Sequence, residues 1–150
     1  MKLESERFGT LELPDGDAIR FPSGLVGFPR EQEFVLLRRE GSDLVAWLHS
    51  TASPALAFPV VSAHGFGAAY PDVPLPSAAL ATVGGSAEEV AVLAVLSAPS
   101  GGPATVNLMA PLIVNAATRI GVQVLLDGTR FSTRELYVTE ASEAGAEVAP

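Results

Sequence analysis

The stretch IRFPSGLVGF, residues 19–28, combines three residues that control the backbone with several large apolar side chains. Phe21 ends an extended run, and Pro22 restricts φ and removes a backbone donor. Gly24 and Gly27 permit tight or left-handed geometry, so the stretch predicts a buried corner of the fold. A phosphate-binding loop would be the alternative, but no Gly-Lys-Ser/Thr ending follows and no helix start is visible.

Short apolar runs lie on both sides of this corner. Residues 3–13 predict an N-terminal hairpin with its turn at Gly9. Further strands are predicted at residues 34–37, 44–48, 56–61, 90–96, 104–108, 112–115 and 119–126. The run 90–96 is apolar on both faces, as expected for a central strand, whereas Pro59 indicates an edge or a bulge.

Helical signals are few. A brief helix is expected at residues 77–80, ended by the glycine pair 84–85, and one helical turn at residues 86–89, which match a capping box. Many short strands with so little helix predict an all-β fold: a small closed or nearly closed β-barrel with one or two short helical turns.

The length and composition indicate one domain. A chain of 150 residues buries roughly 68–70% of the surface that its unfolded form exposes, and no cysteine is present. We expect the barrel domain to span residues 1–138. Residues 139–150 contain three glutamates among small residues, which predicts a disordered acidic tail.

The charge is strongly acidic. Seventeen acidic residues against nine basic ones leave a formal net charge of −8, which disfavours direct binding of nucleic acid. An acidic surface suits a basic protein partner, although it also serves plain solubility. The first residues do not resemble a signal peptide, and the apolar runs fall short of the roughly 20 residues of a membrane helix. We therefore expect a cytoplasmic protein that does not bind a membrane.

Residues that could support catalysis are sparse. The chain has two histidines, His49 and His64, and a triad of His49 with Ser50 and Asp72 has no diagnostic spacing. A small-molecule-binding or hydrolytic β-barrel using His49 or His64 is thus an alternative and not the first hypothesis. An acidic pair at residues 15 and 17 lacks the later glutamate of a calcium loop, so neither a metal nor a cofactor is expected.

Two asparagines lie inside apolar runs, Asn107 and Asn115. Buried amides must be hydrogen-bonded, and both could satisfy the backbone at a break in the sheet near Pro111. Alternatively, they form a polar binding surface together with Arg119. Both interpretations stay open at this point.

These motifs, taken in order, resemble one family. The corner at 19–28 is followed by FVLL (34–37), WLHS (47–50), LAF (56–58), NLMAPLIVN (107–115), Arg119 and GVQV (121–124). Their order and spacing strongly resemble the flagellar assembly factor FliW family, from residue 3 to about residue 137. Two departures are visible: His49 stands where the family usually has Gln, and residues 62–70 differ from the usual pattern.

The resemblance implies a small β-barrel-like protein without catalytic activity that binds newly made flagellin and the RNA-binding translational regulator CsrA. It implies partner exchange: accumulated flagellin occupies the protein and leaves CsrA free to repress flagellin translation, and flagellin export reverses this. The antagonism is expected to act allosterically, away from the RNA-binding surface of CsrA.

The resemblance does not itself identify the contact residues, because the matched positions are mostly Pro, Gly and apolar. Candidate partner contacts are the polar or aromatic residues Asn107, Asn115, Arg119, Tyr70 and Asp72. The family-signature residues are expected to shape the fold and not to touch partners: Phe21, Pro22, Gly24, Leu25, Gly27, Phe28 and Pro111.

Overall fold

Antiparallel strands joined by short connections form most of the structure, a computed structural model that describes residues 1–38, 45–62, 75–86, 89–97, 102–126 and 133–136. In chain order the elements are β1 (Lys2–Ser5), β2 (Gly9–Glu12), a 3-10 turn (Asp15–Asp17), β3 (Ala18–Arg20), β4 (Glu33–Arg38), β5 (Val45–Ser50), β6 (Ala57–Ser62), α1 (Ser77–Val83), β7 (Ala91–Ser97), β8 (Thr105–Asn115), β9 (Ile120–Gln123) and β10 (Glu135–Leu136).

Seven strands, β3 to β9, close into a barrel. Neighbouring strands from β3 to β8 pair antiparallel in sequence order, and β9 completes the circle between β8 and β3. The β3–β9 pair is parallel, with Arg20 opposite Ile120. Closure leaves no long open edge in this part of the sheet. The predicted all-β barrel is confirmed.

The barrel interior holds one apolar core, and a second one lies outside it. The interior core consists of Ile19, Phe21, Leu25, Phe34, Leu48, Val60, Leu112 and Val114. The outer core contains Val61, Val92, Ala94, Val106, Leu108 and Leu126, and α1 extends it by packing Ala79 and Val83 against Ile113. Strands β6 to β8 are thus apolar on both faces, as predicted for residues 90–96.

The N-terminal hairpin is confirmed as a separate two-stranded sheet. Leu3 of β1 pairs with Leu11 of β2, and Leu3 has no exposed surface. The helix predicted at residues 77–80 is also present, and it ends at Gly84, whose φ is +76°. Glycine adopts this positive φ without the steric cost that a Cβ would add, so the chain can leave the helix at this residue.

Two local predictions were wrong. Residues 104–108 and 112–115 belong to the single strand β8, because the expected break is a bulge: the register against β7 shifts between Leu93 and Val95. Pro59 lies in an interior strand, although β6 pairs with β7 only from Val60 onward. The missing N–H of Pro59 is therefore not required by β7.

Candidate partner-binding surface

The corner at residues 19–28 is held by backbone hydrogen bonds. Leu25 and Phe28 exchange two of them, with N–O distances of 3.1 and 2.7 Å, and the N–H of Gly24 donates to the carbonyl of Phe21 at 2.9 Å. Gly24 and Gly27 have φ values of +68° and +87°. A Cβ on Gly24 would lie 2.5 Å from the Phe28 oxygen, so only glycine fits there.

Phe21 connects this corner to the barrel. Its side chain has no exposed surface, and its ring meets Phe34 edge-on with centroids 5.5 Å apart. The ring also lies against Gly121 of β9, where an added Cβ would be 2.6 Å from ring carbons. At the same corner the carbonyl of Pro22 accepts a hydrogen bond from the Gln32 side chain at 2.8 Å. The prediction of a buried corner therefore holds for Phe21, Gly24 and Leu25, whereas the other residues between positions 22 and 28 are exposed.

Val26 is the most exposed of the large apolar side chains at the corner. Val26 is 61% exposed, while its backbone N–H donates to Oε1 of Gln123 at 2.8 Å. The amide nitrogen of Gln123 in turn donates to the carbonyl of Ala110 at 3.1 Å. Gln123 therefore hydrogen-bonds to both the corner and the bulged strand β8, and the exposed Val26 side chain lies next to it.

The bulge of β8 is organised by Asn107. Its Oδ1 accepts hydrogen bonds from the backbone N–H groups of Met109 and Ala110, both at 3.1 Å. Pro111 is buried at the end of the bulge, and its carbonyl accepts from the N–H of Val124 at 3.0 Å. Asn107 thus satisfies backbone donors where the ladder is interrupted, which was one of the two interpretations left open.

A groove opens beside the bulge, and we call it the mouth groove. It forms where β6 and β7 diverge, since their pairing stops at Val60 and Val95. Its volume is about 940 Å³, and among the residues that line it are Leu25, Val26, Phe58, Val95, Met109 and Leu125, with the polar side chains of Ser97, Thr105, Asn107 and Gln123. Arg134 is the one charged residue among the described lining residues.

The mouth groove exposes apolar surface to an unusual degree for this chain. Val26 is 61% exposed and Leu125 52%, and outside the lining Phe28, 38% exposed, packs its ring edge-on against Phe58 at 5.4 Å. An exposed apolar patch rimmed by polar side chains is typical of a site for a protein or a ligand. We therefore take the mouth groove as the candidate functional site.

Of the predicted contact residues, Asn107 lies at this groove and Asn115 does not. Asn115 is 3% exposed. Its Oδ1 accepts from the N–H groups of Ala117 at 2.9 Å and Thr118 at 3.4 Å, and its amide nitrogen donates to the carbonyl of Gly84. The side chain therefore joins the β8–β9 turn to the end of α1. Its role in partner contact stays a prediction, which this burial disfavours.

Arg119 also makes contacts within the fold. It has a left-handed φ of +59°, and its guanidinium donates to the carbonyls of Asp17 and, at 3.4 Å, Ala18. The side chain is partly buried and joins the β8–β9 turn to the start of β3. Tyr70 and Asp72, the other two candidates, lie outside the described residues, as do His64 and the tail at 139–150.

His49 is fully buried and hydrogen-bonded at both ring nitrogens. Nδ1 lies 2.7 Å from the carbonyl oxygen of Ser50, and Nε2 lies 2.8 Å from Oγ of Ser5. Because a carbonyl only accepts, Nδ1 carries the proton and Nε2 accepts from the Ser5 hydroxyl. Oγ of Ser5 accepts in addition from the N–H groups of Arg7 and Phe8. His49 thus attaches the N-terminal hairpin to β5.

The Ser5–His49 pair has the distance of a nucleophile and its base, yet it is not accessible. His49 has 0% exposed surface, and Ser5 has 9%. A substrate would need to reach the Ser5 oxygen, which already holds three hydrogen-bond partners. The hydrolytic alternative therefore finds no support at His49.

Beside this network, the Glu31 carboxylate joins the corner to the β5–β6 connection. It accepts hydrogen bonds from the hydroxyl of Ser53 and, at 2.7 Å, from that of Ser50. These bonds, first that of Ser53 and then that of Ser50, lower the pKa of Glu31 below its usual value because they favour the ionised form.

A second apolar groove, of about 670 Å³, lies between the N-terminal hairpin and the barrel. The Arg7 guanidinium lies 4.2 Å above the Trp47 ring, and Phe8 meets the same ring edge-on at 6.0 Å. One residue of each charge sign, Asp17 and Arg38, lines this groove. Charges of both signs therefore line this groove, whereas the described lining of the mouth groove contains only a basic one.

Metal and membrane sites were also considered. Within the described ranges, no three His, Cys, Asp or Glu residues lie close enough together to hold a metal ion. None of the helices in the described part of the chain is long and apolar enough to cross a membrane.

Comparison with known proteins gives consistent matches. The family model FliW, described as FliW protein, matches residues 2–137. The flagellar assembly factor FliW of Heliobacterium modesticaldum is 35% identical over 147 residues, which are 95% of this chain and 94% of that protein. The protein of the same name from Moorella thermoacetica is 33% identical over 144 residues, covering 94% of this chain and 90% of its own length.

The fold is similar to a solved structure as well. A crystal structure of the flagellar assembly factor FliW superposes with a TM-score of 0.82 at 29% identity, covering 91% of this chain and 96% of that one. These similarities agree with the resemblance that the sequence motifs indicate.

Proposed function

Because the chain belongs to the FliW family of flagellar assembly factors, we propose that it is a non-enzymatic regulator that binds flagellin and, in exchange for it, CsrA. The observation that carries this proposal is the family match over residues 2–137, which includes the corner, the bulged strand and β9.

In this proposal the protein acts in the cytoplasm as a sensor of unexported flagellin. When flagellin accumulates, it occupies the protein and leaves CsrA free to repress translation of flagellin message. When flagellin is exported, the protein becomes available to bind CsrA and to relieve this repression. Exchange of this kind requires that the binding of one partner lowers the affinity for the other, by the same factor in both directions.

Two properties of the chain support such a binding role. A net charge of −8 favours encounter with a basic RNA-binding protein such as CsrA. The mouth groove supplies exposed apolar surface, which protein partners commonly cover.

The test uses the purified chain with flagellin and CsrA from its own organism. We expect a complex with each partner at micromolar concentrations by calorimetry. Adding flagellin to the preformed CsrA complex should release CsrA, as followed by size-exclusion chromatography. Absence of binding to both partners would show that the proposal is wrong, and simultaneous binding of both without loss of affinity would rule out exchange.

A further inference from the structure

We propose that the mouth groove binds an apolar protein segment that carries no basic residues at the contact. This inference rests on the proposed function, within which it assigns the groove to flagellin and leaves CsrA to a different surface. It goes beyond the proposed function because it gives the two partners separate sites, which can be altered independently.

The shape and exposure of the groove fit an extended segment with apolar side chains. Val26 and Leu125 are 61% and 52% exposed, and both line the groove together with the half-buried ring of Phe58. Each of these side chains would lose contact with water when a partner covers it, which favours association. A groove of about 940 Å³ has room for several side chains of a partner.

The charge of the groove selects the partner. The chain has seventeen acidic residues, yet no Asp or Glu is among the described residues that line the groove, where Arg134 is the charged one. Among the described lining residues, a basic segment would find no carboxylate to compensate the desolvation of its charges. A basic partner is better matched by other, acidic parts of the surface, whereas an apolar segment without Lys or Arg matches the groove.

Asn107 offers a polar contact at the floor of the groove. Its Oδ1 is occupied by the N–H groups of Met109 and Ala110, whereas its amide nitrogen donates no hydrogen bond to any described residue. The two backbone bonds fix the orientation of the amide, so the nitrogen is preorganised for a carbonyl oxygen of a partner backbone.

The test introduces one carboxylate at a time into the groove of the full-length chain, as Val26→Asp, Leu125→Asp and Asn107→Asp. The first two positions are exposed, and an aspartate at 107 retains an oxygen that accepts both backbone N–H groups, so all three variants should fold. Ala116→Asp is the matched control, since it adds the same charge at an exposed position of the β8–β9 turn, at the opposite end of β8. Thermal unfolding is measured for every variant.

Calorimetry with flagellin and with CsrA then gives the outcome. We expect each groove variant to weaken flagellin binding by about tenfold or more, the loss typical of a central contact, and to leave CsrA binding within about twofold of the parent chain. The control should bind both partners as the parent does.

Other outcomes overturn the inference. Unchanged flagellin affinity in all three variants would show that the groove is not its site, and a loss of CsrA affinity instead would show that the groove accepts a basic partner. A parent chain that sediments as a dimer, with monomeric groove variants, would make the groove a contact between copies. If the parent chain binds neither partner, the proposed function itself is wrong. If the parent chain and all groove variants bind both partners equally well, only the assignment of the groove is wrong.

Discussion

Single residues at the corner and at the hairpin determine how the parts of this fold attach. Gly121 leaves the space that the Phe21 ring fills, and His49 bonds to the hairpin residue Ser5 through one ring nitrogen and to the Ser50 carbonyl of β5 through the other. Neither is exposed, so their effects should appear in stability. Close packing in such interiors makes even one methyl group noticeable.

We expect Gly121→Ala to lower the free energy of unfolding by about 1–3 kcal/mol, because its Cβ would overlap the Phe21 ring. Urea unfolding measures this change. Gly16→Ala is the control, since a Cβ there meets nothing within 4 Å, and it should stay within about 0.5 kcal/mol. In the Gly121→Ala background, Phe21→Leu should recover part of the lost stability, because the smaller side chain removes the overlap. Equal losses for Gly121→Ala and Gly16→Ala would contradict the packing argument.

Replacement of His49 should separate the hairpin from the barrel. His49→Ala leaves a cavity and an unpaired Ser5 hydroxyl, for which we expect a loss of about 2–4 kcal/mol in the free energy of unfolding. Ser5→Ala should cost less, and the double variant should show coupling between the two sites. Thr10→Ala, which removes only an exposed bond to Glu4, is the control. Additive losses would mean that the two residues do not act as a pair.

Glu31 should give part of the stability a defined pH dependence. Its pKa is lowered in the folded state, so its contribution is present above the pKa of the unfolded chain and is lost as the pH falls through the folded value. The stability difference between the parent chain and Glu31→Gln should therefore be largest near neutral pH and shrink on acidification. Ser53→Ala, which removes the largest cause of the shift, should reduce this dependence; a difference independent of pH would contradict it.

At the scale of elements, the turn between β8 and β9 is attached both to α1 and to the start of β3. Asn115 and Thr118 hydrogen-bond to the end of α1 through the carbonyls of Gly84 and Val83, and Arg119 donates to carbonyls at the start of β3. The helix has only seven residues and would be marginal alone, so these contacts and its apolar face hold it in place.

Asn115→Ala should accordingly act on stability and not on recognition. We expect a loss of about 1–3 kcal/mol in the free energy of unfolding, because the buried amide of Asn115 is removed and the backbone groups of the turn and of Gly84 lose its hydrogen bonds. Affinity for flagellin and CsrA, normalised to folded protein, should be unchanged. If Asn115→Ala instead lowered the affinity for a partner and left the free energy of unfolding unchanged, Asn115 would be a contact residue. Ala117→Ser, exposed in the same turn, is the control.

At the scale of the whole molecule, charge and apolar surface are distributed differently. The net charge is −8, yet the described lining of the mouth groove contains no carboxylate. Long-range attraction should therefore act on a basic partner, whereas contact with an apolar segment should depend on burial. The two modes differ in their response to salt, because ions screen exposed charges and not apolar contacts.

Raising the salt concentration from about 0.05 to about 0.5 M should slow the association of CsrA by about tenfold. Flagellin affinity should change by less than about threefold over the same range, since contact with an apolar segment depends mainly on the burial of apolar surface. Surface plasmon resonance with both partners measures these rates. Equal salt dependence for the two partners would contradict separate binding modes.

The sequence alone determined the strand-rich class, the N-terminal hairpin, the tight turn at the corner, the short helix and the family, because each depends on residues that are close along the chain or on motifs in a fixed order. Only the tertiary structure decided the closure of β3 on β9, the burial of His49 against Ser5, and the bond from Val26 to Gln123, which are 97 residues apart. Contacts between distant residues leave no local pattern in the sequence. The mouth groove consists of such contacts, and for this reason the residues expected only to shape the corner also bring Val26 to the candidate binding surface.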